Sequence, residues 1–442
     1  MQLQLSCQND KLIRPRFIQN MKNNASVFIM LIFFNIAPLF GYQKTIQYTD
    51  YSYEDQIKTV KLYPQGIGIE NSMAPAVSEL NGSKSLVLEF DDLREDADYY
   101  YVRFVHCNAD WTPSDYRENM VVKGYNEFEI ENFEFSTEAR KRYVHYRYTF
   151  PQFKVAGNFI AVVYRDQKKD DIVLTRRFMV NNGRANVGAR IERSSVIKDR
   201  RTHQRIDVNM NFGALTSPDP RNDFKIVVRQ NQRWDNAKIG LPISFIDLNS
   251  KVISYRALGS ENDFPGGNEF RFFDLSTVTF SGRNVGRVGI VDNKAYAQIR
   301  TEKPLNENYL QNLDINGKFY VRDQEANSLG NTAEYVETTL ALNTPKQRAS
   351  IYVLGDFNNY IRDKNSLLTY DEEQKLYTIT LTLKQGWYDY TYWVDDPLDP
   401  FQMDRTFFNT ENLYEVFVYF RPMGGRGDEL VSYFKFNYNK LR

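Results

Sequence analysis

Residues 106–116 (HCNADWTPSDY) gather an imidazole, a thiol, two carboxylates, an indole and a Pro-Ser-Asp turn within one short stretch. Three kinds of chemistry can be drawn from them. Cys107, with His145 as base and Asp110 as orienting carboxylate, has the residue types of a thiol nucleophile. His106, Asp110 and His145 have the types of a metal-ligand set, which works only if the ligands converge in space. The third possibility is structural. Trp111 after a strand closes one end of a β-sandwich, Pro113-Ser114-Asp115 supplies turn chemistry, and His106 and Asp110 tie the loop back by side-chain hydrogen bonds.

The rest of the chain favours the third. Histidine occurs three times, at 106, 145 and 203, and no G-x-S-x-G elbow, H-E-x-x-H or C-x-x-C is present. No cysteine signature of a known protease type surrounds Cys107. The expectation is therefore no catalytic residue, no cofactor-binding residue and no metal ligand. His106, Cys107, Asp110, Trp111, Ser114 and His145 remain as a structural signature. Two further motifs read as loops: the acidic run Asp395-Asp396-Pro397-Leu398-Asp399 as a solvated turn, and Arg426-Gly427-Asp428 as a Gly-rich hairpin loop.

The elements that must position this block are strands. Thirty Tyr and 31 Phe favour sheet, and period-two or β-branched runs recur throughout. The clearest are 85–90, 99–105, 159–164 and 173–180, then 205–212, 224–230, 269–275, 296–301 and 317–322, then 334–342, 349–354, 376–383, 387–394, 414–421 and 430–436. No helix is predicted beyond a short piece after Trp111. The fold class expected is all-β, as three consecutive β-sandwiches of fibronectin or immunoglobulin type. Boundaries are placed at the Asn181-Asn182-Gly183 break and the polar stretch 323–333, giving 43–182, 183–332 and 333–442.

Charge is balanced, with 56 basic and 56 acidic residues, so nucleic acid is not an expected partner. Residues 27–40 (VFIMLIFFNIAPLF) form a short apolar run after Met21-Lys22. Such a run is a secretory signal rather than a span, which needs about 20 apolar residues. The expectation is an upstream extension over 1–20, a true start at Met21, a signal peptide over 21–42, and a mature chain from about Tyr42 or Gln43. Cys7 is then lost and Cys107 stands alone, as a buried apolar residue.

The last unit carries YVLGDFNNY at 352–360 and Lys384-Gln385-Gly386-Trp387-Tyr388-Asp389-Tyr390-Thr391-Tyr392. This pair of strands resembles the early-set sandwiches that accompany starch- and glycogen-active enzymes, with Tyr360 where a Trp is usual. An exposed row at Tyr360, Trp387 and Tyr390 would make the chain an exported carbohydrate-binding accessory protein. That is the alternative reading.

A more specific series lies in the first unit. Leu88-Glu89-Phe90-Asp91-Asp92-Leu93 precedes the tyrosine strand and the 106–116 block. Lys123-Gly124-Tyr125, Phe135-Ser136-Thr137, Tyr143-Val144-His145-Tyr146, Pro151, Ala156-Gly157-Asn158-Phe159 and Arg176-Arg177-Phe178 follow. The series resembles the plug proteins of the type IX secretion system, from about residue 50 to the C-terminus and most strongly over 60–182. The resemblance implies a non-enzymatic periplasmic protein, peripheral to the membrane. Its implied partner is the outer-membrane translocon β-barrel, whose periplasmic mouth it closes when no cargo is engaged. It supplies no catalytic residues.

Overall fold

The computed structural model describes residues 44–305, 308–326 and 331–438, and these belong to one compact unit. The expected upstream extension, the signal peptide and Cys7 lie outside them. The chain is nearly all β, in mostly antiparallel sheets. Among the described residues no helix is long and apolar enough to cross a membrane.

In the first sandwich one sheet runs in the order Tyr51–Ser52, Ile172–Asn181, Gly157–Arg165, Tyr100–Cys107, Phe128–Glu129. The facing sheet runs Ile57–Pro64, Leu86–Asp92, Val144–Thr149, Phe133–Phe135. Alternation decides which side chains enter the core. Along Tyr100–Cys107, Tyr100, Val102 and Phe104 are fully buried while Tyr101, Arg103 and Val105 are not. The core assembled this way runs from Ile57 to Val180 and is crowded with aromatics, such as Phe90 stacked on Tyr146 at 5.0 Å.

Strand pairing divides the remaining chain differently from the expected cut at 332/333. The sheet holding Lys238–Ile239 and Phe224–Gln230 is completed by Asn412–Phe420 and Glu429–Tyr438. Its partner sheet contains Asn186–Arg193, His203–Asn211, Val252–Tyr255 and Phe245–Asp247. Conversely, Arg271–Asp274 and Phe319–Val321 pair with Gly386–Val394, and Lys294–Ile299 runs parallel to Tyr335–Leu342. The third sandwich, whose core spans Phe273 to Met403, is thus inserted into the second, which the chain leaves after Phe264 and re-enters at Asn412. From the described part of the polar stretch before that cut, Gln324 N–H donates to Ser276 O within the third. A strand's own pattern states that it is a strand, not which distant strand it pairs with, so this nesting is silent in local sequence.

Several strands are buried on both faces. Phe159, Ala161 and Val163 enter the first core, whereas the alternating Ile160 and Val162 enter another cluster with Met179, Val227, Phe417 and Tyr419. That cluster lies between the first and second sandwiches, which are packed sheet to sheet.

Candidate functional site

The signature block sits at this packed face. The strand Tyr100–Cys107 ends in a tight turn in which Trp111 N–H donates to Asn108 O at 2.9 Å. Asp110 Oδ1 accepts from Thr112 N–H at 3.1 Å and from the Thr112 hydroxyl at 2.6 Å. Trp111 adopts φ +66°, a left-handed conformation that costs a non-glycine residue about 1–2 kcal/mol. Packing offsets this. The indole is 3% exposed, meets Trp234 of the second sandwich edge-to-face at 4.8 Å, and has the Arg177 guanidinium 4.5 Å from its ring centre. Arg229 lies 4.4 Å from the Trp234 ring and makes a fully buried two-point pair with Glu415, at 2.7 and 3.0 Å.

Asp428, at the turn of the C-terminal hairpin, is the polar counterpart. It is 1% exposed, accepts from Ala109 N–H at 3.0 Å and Lys225 at 3.2 Å, and pairs with Arg421 at 2.6 Å. Burial alone would raise its carboxyl; the Ala109 N–H, Arg421 and Lys225 together hold it below the usual carboxylate range. Arg421 also reaches Asn108 Oδ1 at 2.6 Å, and Asn158 bridges Asn108 O to the Tyr419 hydroxyl. The tripeptide read as a Gly-rich hairpin loop lies at that hairpin turn and also latches the first sandwich to the second.

His106 is 2% exposed, and burial pushes its imidazolium down to about 4. Its Nε2 lies 3.1 Å from Ala156 O, which can only accept, so the neutral ring carries its proton there and Nδ1 accepts from the Ser114 hydroxyl at 2.8 Å. Two glycines make room. A Cβ on Gly157, at φ +143°, would lie 2.3 Å from His106 Nε2, and one on Gly427 would lie 2.9 Å from His106 Cε1. Cys107 is fully buried and burial pushes its thiol up to about 12.

His145 stands elsewhere. It lies on Val144–Thr149 in the facing sheet, opposite Asp91 in register, and donates from Nδ1 to Asp91 Oδ1 at 2.7 Å. No described hydrogen bond or ring contact joins it to His106, Cys107 or Asp110. The thiol triad and the His106–Asp110–His145 ligand set are therefore not assembled. His145 belongs to a second joint, between the first and third sandwiches. Asp91 there also accepts from Lys384 at 2.7 Å and the Tyr335 hydroxyl at 2.6 Å. Burial raises Asp91, and Lys384 and His145 outweigh it to hold the carboxyl low. Lys384 lies 4.1 Å from the Tyr143 ring centre, and Lys61 donates to Phe319 O at 2.5 Å. A cavity of about 310 Å³ opens beside this joint, lined by Lys61, Tyr63, Glu89, His145, Arg147 and Lys384.

The aromatic row of the alternative reading is not an exposed row: Tyr360 and Tyr390 are buried and Trp387 is half-buried. Tyr360 is 7% exposed, donates to Gly317 O at 2.9 Å and is covered by Arg233 at 4.1 Å. Tyr390 is fully buried, and Trp387 stacks on Phe272 at 4.4 Å with its indole N–H on Asp389. The early-set pattern spends these rings on packing. The acidic run at 395–399 forms an exposed turn, in which Asp396 accepts from Leu398 N–H at 2.9 Å.

Sequence reading gave no joint role to Asp91, Arg229, Trp234, Lys384, Glu415 and Asp428. A signal was present: charges at inward positions of apolar strands, as in FKIVVRQ and YEVFVYF, require a partner across an interface.

A crystal structure of a hypothetical protein from Parabacteroides merdae ATCC 43184 is similar over 89% of this chain and 100% of its own, at 27% identity and a TM-score of 0.83. A Salmonella alpha-2-macroglobulin mutant aligns over 86% of this chain and 33% of its own, at 7% identity and a TM-score of 0.19. No curated protein matches. The family model described as type 9 secretion system plug protein 1st domain matches residues 57–182, which contain the whole block, His145 and Asp91. Residues 57–182 thus match the first domain of the type 9 secretion system plug proteins, which supports a role related to that secretion system.

Proposed function

We propose that the chain is an exported, non-catalytic periplasmic plug. It seats against the periplasmic mouth of the type IX outer-membrane translocon barrel and occludes the lumen when no cargo is engaged. The match over residues 57–182 carries this reading. Physical features support it. A stopper for a pore wide enough to pass folded proteins must resist deformation, and the three sandwiches are held together by buried joints rather than by flexible linkers. The residues with reactive chemistry serve those joints: His106 is neutral and doubly hydrogen-bonded, and Cys107 is a buried thiol. Occlusion then acts by shape, with docking and release shifting the barrel between closed and open populations.

The test is crosslinking in cells followed by affinity purification of the tagged protein from outer membranes. The translocon barrel should be the main crosslinked partner. Deletion of the gene should make the outer membrane leaky to solutes that its other pores exclude. Recovery without the barrel, together with unchanged permeability, would refute the reading.

A further inference from the structure

The chain crosses between the second and third sandwiches twice. It goes out through Gly266–Phe270 into the strand Arg271–Asp274, and returns through Phe408–Glu411 into Asn412–Phe420. Both crossings meet the loop that precedes Phe319–Val321. Each of the three segments brings one carboxylate: Glu269, Glu411 and Asp314. One oxygen from each lies within 4.8 Å of the others. The backbone fixes the arrangement. Asp314 accepts from Phe270 N–H at 2.5 Å and Asn316 N–H at 3.0 Å, and Glu269 Oε1 accepts from Glu411 N–H at 3.1 Å and from the Tyr309 hydroxyl. Glu411 accepts from the Asn316 and Asn437 side-chain amides, at 2.9 and 2.8 Å. Asp389 stands behind, accepting from Ile315 N–H at 2.6 Å.

Two features of this cluster are unlike the other buried carboxylates. Asp91, Asp428 and Glu415 each face a lysine or arginine, whereas among the described residues none of Glu269, Asp314, Asp389 and Glu411 has an ion-pair partner. Glu269 is 5% exposed, and its Oε2 is buried with no hydrogen-bond partner. A buried acceptor left unmade costs about 1–3 kcal/mol, and three carboxylates this close repel one another. A cation removes both penalties. Asp314 and Glu411 are only half-buried and leave it an approach from solvent.

The donor set selects the ion. All ligands are oxygens, which suits a hard cation rather than zinc. Calcium accepts irregular all-oxygen shells at about 2.3–2.6 Å, whereas magnesium demands near-ideal octahedral geometry and keeps several waters, so a site assembled from three separate chain segments favours calcium. We propose that Glu269, Asp314 and Glu411 bind a calcium ion that pins the double crossing between the second and third sandwiches.

The test uses the purified protein stripped with EGTA and titrated with CaCl2 or MgCl2, with thermal unfolding as readout. Terbium binding is followed in parallel through luminescence excited at Tyr309, whose hydroxyl touches Glu269. Calcium at a hundredfold excess over its Kd should raise the unfolding midpoint by about 3–5 °C, saturably and more than magnesium does. Terbium emission should rise with it and be competed by calcium. E269Q and E411Q should each weaken terbium binding at least tenfold and abolish the calcium shift. Absence of any calcium shift and terbium signal in the parent protein at millimolar ion overturns the proposal, whatever the variants do. So does a calcium response unchanged in both variants. If E269Q melts higher than the parent in EGTA and calcium shifts neither, the cluster holds a shared proton and the proposal fails.

Discussion

Replacing Lys384 with methionine tests the reasoning about the joints most directly. Lys384 and Asp91 are each 1% exposed at the side chain and 2.7 Å apart. Methionine keeps the length and apolar packing of the lysine stem and removes only the charge. Asp91 is then a buried carboxylate with two remaining donors, His145 and Tyr335. Deleting one partner of a buried pair costs about 3–5 kcal/mol. The surviving donors place the expected loss near the lower end, about 3 kcal/mol, or roughly two decades in the folding equilibrium.

The pH dependence is sharper than the magnitude. In the parent protein Asp91 is held below its unfolded value, so its contribution is in place above about pH 3.9 and is lost as pH falls through its folded pKa. Without Lys384, burial dominates and lifts Asp91 above its unfolded value. Its contribution is then complete below about pH 3.9 and is lost as pH rises through the raised pKa. The deficit of K384M should therefore be largest near pH 7.5 and narrow towards pH 4.5. The double variant K384M/D91N should recover part of it. Urea unfolding at both pH values, followed by tryptophan fluorescence and circular dichroism, reads this out. A deficit under about 1 kcal/mol at pH 7.5, or one equal at the two pH values, would refute the account of this joint.

The other joints give further expectations. G157A forces a Cβ to 2.3 Å from His106 Nε2 at φ +143° and should cost at least about 2 kcal/mol, whereas G188A, with nothing within 4 Å, should melt within a degree or so of the parent. D428N should lose roughly 2 kcal/mol at pH 7 in urea unfolding, with the loss shrinking as pH falls below about 3.9: Asp428 is held low, so its contribution fades as pH falls from the unfolded value through the folded pKa. Cys107, buried with a thiol near 12, should react with an aromatic disulfide only slowly in the native protein and at once in urea. Fast native labelling would reopen a nucleophilic role.

Strands such as FIAVVY and VLTRRFMV were legible because they are buried on both faces and read as continuous β-branched and aromatic runs. Strands with one wet face were harder. Ile57–Pro64 (IKTVKLYP) carries two lysines and a bulge between Lys58 and Lys61, and Asn186–Arg193 exposes Asn186, Gly188 and Arg190 on one face. The nesting of one sandwich in another was illegible, since both yield the same alternation. Nothing in Pro265-Gly266-Gly267 marks it as a crossing rather than an ordinary loop. The block at 106–116 stood out through density of polar and aromatic types. The sequence reading groups His145 with that block, yet it acts at another interface, and nothing local distinguishes the two. The Glu269, Asp314 and Glu411 cluster, spread over 142 residues, is visible only once the two crossings are superposed in space.

The topology has a consequence for motion. Three sandwiches in series would have two joints, each free to bend. Here every pair is joined: first to second through Trp111, Trp234 and Asp428, first to third through Asp91, Lys384 and Tyr335, and second to third through two chain crossings and the Arg233–Tyr360 contact. In a closed triangle no single joint can open as a hinge without straining another, and each carries buried charge whose exposure or unpairing is costly. On the plug reading, the body leaves the barrel whole, and regulation falls on its outer surface rather than on an internal hinge. Disulfides engineered across any one joint should then leave docking and release unchanged, whereas a body that works by hinging would be locked by the same crosslink.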